Sequence, residues 1–165
     1  MPKMLADARR KLVFAPTLTT PAAPKITELV AASVLEISCL VTAADFTLGA
    51  TGEDTIDDPA LCAEGNDASP GRVTYEAGMN FFRWTTPTED KAWTTFVDKG
   101  LGGYLVQRIG KDYRTAFTVG DEVQVYQVIT GKPMILSPTG GGFEKFRQMF
   151  YCQSAGTYER AVLVA

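Results

Sequence analysis

The chain has 165 residues, of which 45% are hydrophobic and 21% charged, enough for one substantial core and far from the composition of a disordered chain. Nineteen acidic residues against sixteen basic ones give a net charge of −3, which argues against a domain that grips nucleic acid over its whole surface. There is no histidine, so Ser-His-Asp and Cys-His nucleophile arrangements, histidine zinc sites and the commonest general base are all excluded.

Residues 1–24 begin with the basic positions Lys3, Arg9, Arg10 and Lys11, pass through a short β-prone run at 11–15, and continue as TLTTPAAP, whose prolines favour extended backbone. This segment reads as an arm outside the core. KLVFA is too short for a signal-peptide core, and no apolar run approaches the roughly twenty residues a membrane helix needs. The chain is therefore expected to stay in the cytosol of the cell that makes it, without membrane insertion. Cys39, Cys62 and Cys152 are odd in number and widely spaced, and read as buried free thiols.

From Val34 to Ala43 the alternation places Leu35, Ile37, Cys39 and Val41 on one face of a half-buried strand, opposite Glu36, Ser38 and Thr42. A second strand, Arg72–Trp84, puts Val73, Tyr75, Ala77, Met79 and Phe81 on one face, with Gly78 as a candidate bulge. Between them, 49–71 is rich in Gly, Asp and Ala and has no sustained period. It is too long for an ordinary turn, and reads either as a partner-contacting loop or as a floppy insertion.

A helix is predicted over 86–100. Thr86 and Glu89 form a capping box, Pro87 sits at the first helical position, Lys99 lies in the last turn and Gly100 ends the helix. Ala92, Trp93, Phe96 and Val97 make its apolar stripe, with Trp93, Phe96 and Val97 as the packing core. Strands follow at Tyr104–Ile109 and Glu122–Thr130, with 110–121 as the turn-rich link between them; Val123, Val125 and Ile129 alternate with Gln124 and Tyr126. Pro133, Pro138 and the TGGG turn at 139–142 precede a strand at Phe143–Gln153, and Tyr158–Val164 is a last, uncovered strand. Many strands against one helix imply a mainly β fold with one flanking α-helix, rolled into a β-sandwich or partly open β-barrel, as a single domain over 1–165.

Signals for chemistry are weak. Glu53, Asp54, Asp57, Asp58, Glu64 and Asp67 miss the EF-hand spacing and lack the aromatic cleft of a glycosidase. Gly140–Gly142 lacks the ending of a phosphate loop and opens a strand. Three charges at Arg9, Arg10 and Lys11 make only a small nucleic-acid term. No catalytic residue, metal site or cofactor is expected. An open sheet, an extended arm, a long acidic loop and an uncovered last strand suit assembly by strand addition.

The order of EISCLVT at 36–42, Asp45–Phe46, TIDDPALC ending at Cys62, the re-entry Pro70–Gly71–Arg72 and GGYLVQRIG after the helix resembles the major tail tube proteins of long non-contractile-tailed (siphovirus-type) bacteriophages, especially those of actinobacterial hosts. The resemblance implies a structural virion protein that assembles into hexameric rings stacked as a hollow tube. It further implies a tape-measure protein, a tail terminator and a distal tail protein as partners, passage of viral DNA through the lumen, and assembly in the bacterial host cytoplasm. On this reading Arg9, Arg10, Lys11, the six carboxylates from Glu53 to Asp67, and Arg72 are expected at subunit interfaces. The alternatives are a tail terminator or other ring-forming tail component, and a monomeric β-domain that binds a ligand or nucleic acid.

Overall fold

The computed structural model describes residue 1 and residues 3–138 and 140–165. In chain order the elements are β1 (Arg10–Ala15), α1 (Ile26–Leu29), β2 (Leu35–Glu36), β3 (Thr47–Asp57), β4 (Ala68–Phe82), α2 (Lys91–Thr95), β5 (Gly102–Ile109), β6 (Glu122–Thr130), β7 (Met134–Ile135) and β8 (Lys145–Val162). The strands form one antiparallel sheet in the order β2-β1-β5-β6-β8-β4-β3, with β7 beside β8; it does not close into a barrel.

The central strands are buried on both faces over much of their length, with the buried polar residues Gln107 and Arg108 among the apolar ones on β5. Leu12, Phe14, Leu105, Tyr126 and Val128 face one way and Val13, Ala15, Val106, Val123 and Val125 the other, none more than 4% exposed. The first face is covered by the other wing of the same sheet, through Met79 and Phe81 of β4 and Phe146 and Phe150 of β8, together with Ile37 and Phe96. The second face lies under Leu18, Leu29 of α1, Phe117 and Leu163. The sheet thus folds over itself in the manner of a β-sandwich. The fold-over needs glycine at two crowded points: a Cβ on Gly103 would lie 2.4 Å from the Phe14 ring, and one on Gly156 would lie 2.3 Å from Gln127 Oε1. Gly156 falls where β8 advances from Gln153 to Tyr158 while β6 steps only from Gln127 back to Val125, so the extra residues of β8 bulge out and bend the strand.

Several elements differ from the sequence expectation, each for a tertiary reason. Residues 10–15 are not part of a peripheral arm: β1 pairs along its whole length with β5. The strand expected at 34–43 stops after Glu36. Leu12 N–H donates to Ser38 Oγ (2.9 Å), so a side chain replaces the next ladder partner and the chain turns, Leu40 N–H donating to Ile37 O (3.0 Å). Val41 makes only an isolated bridge to Phe81. Gly78 is not a bulge but pairs in register with both Thr47 and Met149. The two C-terminal strands are one, β8, which pairs with β4 and β7 over Lys145–Phe150 and with β6 from Phe150 to Val162; among the described residues its Tyr158–Val162 half has a strand partner on one edge only, as the uncovered last strand expected there implied. Tyr126 is buried where alternation placed it on the polar side, and Ile129 is exposed. Cys39 and Cys62 are exposed and Cys152 is half-buried; all three are free. Of the turn expected at 139–142, Thr139 lies outside the described residues, and Gly141 has φ +77.

The helix is the largest correction: α2 covers five residues and not 86–100. Its expected first turn forms a non-helical turn in which the N–H groups of Glu89 and Asp90 both donate to Thr86 O (2.9 and 3.0 Å). Phe96 ends the helix because its ring is inserted between Phe14, Phe81 and Phe150, with centroids 5.1, 5.5 and 5.3 Å away. The following backbone is tied to β6, Thr130 Oγ1 donating to Asp98 O (3.1 Å) and Gly100 N–H donating to Thr130 O (2.8 Å). Trp93 is half-buried between Phe146 (5.0 Å) and the Arg83 guanidinium (3.9 Å), and Val97 is 61% exposed, outside the core.

Candidate subunit interface

The stretch 49–71, expected as an irregular loop, is a long β-hairpin. β3 and β4 pair from Thr47↔Gly78 to Asp57↔Ala68, with register shifts between Ala50 and Gly52 and between Glu53 and Thr55, and 58–67 form the tip. Every residue from 50 to 70 is exposed. Six carboxylates and no lysine or arginine lie in that span, so the remainder of the chain, with the other thirteen carboxylates and all sixteen basic residues, carries a net +3. Among the described residues, none of the five ion pairs involves these six carboxylates or Arg72. Asp57 Oδ2 accepts from Asn66 Nδ2 (3.2 Å) at the tip.

The hairpin is firmly rooted. Tyr75 packs edge-on against Tyr126, with centroids 6.3 Å apart, and Tyr126 Oη donates to Glu159 Oε1 (3.0 Å), tying β4, β6 and β8 together. Burial, reinforced by the Glu159 charge, raises the Tyr126 pKa well above its ordinary value and keeps the phenol a donor. Beyond Ala77, β4 no longer pairs with β8, and β3 is the last strand of the sheet, so among the described residues both edges of the distal ribbon present unpaired backbone groups. Ile56 is 55% exposed and Leu61 wholly so. A cleft of about 700 Å³ separates the hairpin base from the sheet, lined by Arg10, Phe46, Leu48 and the buried Gln107.

The arm residues sit at the same end of the sheet. Arg9 Nη1 donates to Gly110 O (3.3 Å), and the Arg10 guanidinium lies 6.0 Å from the Phe46 ring. Lys11 is turned inward, its Nζ 3.3 Å from Glu36 Oε2 and donating to Tyr113 O (3.1 Å). Below it, the Arg108 guanidinium is buried and donates to Ala116 O, Thr115 O and Asp112 O at 2.8–2.9 Å and to Asp121 Oδ2 (3.2 Å). Burial works against the Asp121 carboxylate, but Lys111, the Thr118 amide and hydroxyl and Arg108 outweigh it and hold its pKa at about 2. This network fixes the 110–121 connection beside the arm.

The structure therefore gathers the six acidic residues on one protruding element and places Arg72 on the same ribbon, while Arg9, Arg10 and Lys11 lie at the sheet end toward which it projects. The exposed apolar residues Ile56 and Leu61, missed in the sequence, carry no periodic signal that could have singled them out. Among the described residues no helix is long and apolar enough to cross a membrane. No curated protein matches the chain. A family model described as phage tail tube protein matches residues 1–165. With a match over every residue and a mainly β, folded-over sheet that extends an unpaired ribbon, the chain belongs to the phage tail tube protein family, structural components of the virion tail.

Proposed function

We propose that copies of this chain stack as hexameric rings into the hollow tail tube of a siphovirus-type phage, as the resemblance to tubes of actinobacterial phages implies. The rings form in the host cytoplasm around a tape-measure protein, with a tail terminator and a distal tail protein as further partners, and the lumen later passes viral DNA. The protein acts through assembly and carries no catalytic chemistry. The observation that supports this reading is the hairpin: a two-stranded ribbon is marginal by itself in water, and this one buries no side chain from 50 to 70 against its own subunit. A neighbouring copy supplies the missing cover, and Glu53, Asp54, Asp57, Asp58, Glu64, Asp67 and Arg72 are the contact residues.

Replacing Glu53–Ser69 by a short Gly/Ser linker tests this. Shortening a loop by half alters closure entropy by only about 0.6 kcal/mol, so the subunit keeps its circular-dichroism spectrum and melting behaviour while tubes shorten or disappear in negative-stain images. Full-length tubes at the wild-type critical concentration would reduce the hairpin to a tolerated insertion. For the wild-type chain, isolated rings would instead indicate a terminator-like component, and monomers a ligand- or nucleic-acid-binding β-domain.

A further inference from the structure

The sheet ends in two free edges that border the same cleft. β2 pairs only with Val13 and Phe14, so the start of β1 has no strand beside it on that side, and β3 is the last strand at the other end of the sheet. Arg10 and Leu12 of β1 line the cleft of about 700 Å³ together with Thr47, Leu48, Gly49 and Ala50 of β3. Leu12 turns its backbone groups toward Ser38 and Ile37, and by the alternation of an antiparallel strand Arg10, two residues earlier, turns its N–H and C=O the same way. The cleft is the open seam of a sheet that does not close. Gln107 also lines it, and its buried Oε1 has no partner among the described residues. Ala6, Asp7 and Ala8 lie in this seam as well. The chain reverses there: Arg9 N–H donates to Ala6 O (3.2 Å), and Ala8 takes φ +54, a left-handed conformation that is costly for a residue with a Cβ. The reversal is held against the 110–113 turn. Tyr113 N–H donates to Ala8 O (2.9 Å), Gly110 N–H donates to Arg9 O (2.9 Å), and the Met4 thioether lies on Gly110, where a Cβ would meet it at 3.0–3.1 Å. The hold is shallow, since Met1, Met4 and Leu5 are each at least 68% exposed.

We propose that residues 3–8 are a strap that covers this seam in the free subunit and has to swing away before copies join. The left-handed turn at Ala8 stores strain against the closed position, while a few backbone hydrogen bonds and one thioether contact hold it, so the two positions lie close in energy and a single substitution shifts their balance. Closed, the strap keeps the Arg10 edge and the Gln107 acceptor from an incoming segment and delays nucleation. Open, it frees both. The inference rests on the reading that copies of this chain assemble into a tube and adds what holds them back.

The test substitutes Ala8, an exposed position, in the full chain. Ala8→Gly fits φ +54 and favours the closed strap, whereas Ala8→Val puts a β-branched side chain where it is least tolerated and favours the open one. Two readouts are taken. The rate of trypsin cleavage after Lys3 and Arg9, below the assembly concentration, reports the strap; the lag in light scattering above it, with tubes checked by negative-stain microscopy, reports nucleation. Ala8→Gly is expected to slow cleavage and lengthen the lag about threefold, and Ala8→Val to speed cleavage and shorten the lag by a similar factor. A chain lacking residues 1–7 should have the shortest lag, at an unchanged denaturation midpoint. Cleavage rates that do not respond to Ala8 would overturn the two-position strap, and rates that respond while the lags coincide would overturn its control of nucleation. Loss of tubes from the truncated chain with its midpoint unchanged would make the segment a contact between copies and overturn the proposal too. In each of these cases wild-type tubes leave the assembly reading intact, whereas a wild-type chain that forms no tubes would overturn that reading and the strap with it.

Discussion

Phe96→Ala isolates the contact that ends α2 and locks it to the sheet. The ring is fully buried and meets Phe14 and Phe150 nearly edge-on, at interplanar angles of 81° and 85°, and Phe81 at 51°. Truncating a buried phenylalanine costs about 3–5 kcal/mol, the sum of lost transfer energy and the cavity left behind. In a chain of this size each kcal/mol moves the melting temperature by about 2–4 °C, so a drop of roughly 6–20 °C is expected. Val97→Ala is the control. The neighbouring residue belongs to the same predicted stripe but is exposed, and its truncation should stay within about 0.5 kcal/mol. Trp93→Ala, half-buried, should fall between the two. Guanidinium unfolding below the assembly concentration, with unchanged slope, measures all three as stability differences. If Phe96→Ala stays within error of wild type, the insertion of Phe96 among the three rings is wrong; if Val97→Ala costs as much as Phe96→Ala, a regular helix over 86–100 with a continuous stripe must replace the short α2.

The Asp121 network predicts a particular acid dependence. Its carboxyl titrates at about 2 in the folded chain against an ordinary 3.8; because the folded value is the lower one, the stability it adds is complete above the ordinary value and lost as pH falls through about 2. That difference corresponds to roughly 2 kcal/mol, visible as a slope in denaturation midpoints between pH 4 and 2. Asp121→Asn should remove that slope and cost about 3–5 kcal/mol at neutral pH by leaving Arg108 buried without its partner; parallel acid limbs for the two proteins would refute the assignment. The cysteines should separate kinetically in unassembled subunits. Cys39 and Cys62 are exposed and should react quickly with a disulfide reagent, whereas burial pushes the Cys152 thiol up to about 11 and should leave it slow. Three equal rates would contradict the burial of Cys152.

Local chemistry alone determined the parts of this protein whose partners lie close in sequence or whose pattern reflects a single environment. The strand Glu122–Thr130 was legible to the residue, and Tyr104–Ile109 lacked only two leading glycines, because β-branched and aromatic residues there end at Gly- and Pro-rich turns. The acidic character and the length of 49–71 were legible. That this segment is a hairpin was not: period-2 alternation appears only when one face is buried, and both faces of the distal ribbon are bare. Tertiary structure decided the rest. KLVFA resembles an arm until β5, some ninety residues later, supplies its partner. Good capping signals at Thr86–Glu89 lost to Phe96 and Thr130, since helix propensity is worth tenths of a kcal/mol per residue whereas burying one aromatic ring is worth about 1.5–3 kcal/mol. β8 runs on as one strand for the same reason: burying Phe146 and Phe150 beside β4 and pairing its later residues with β6 outweighs any local preference for a break.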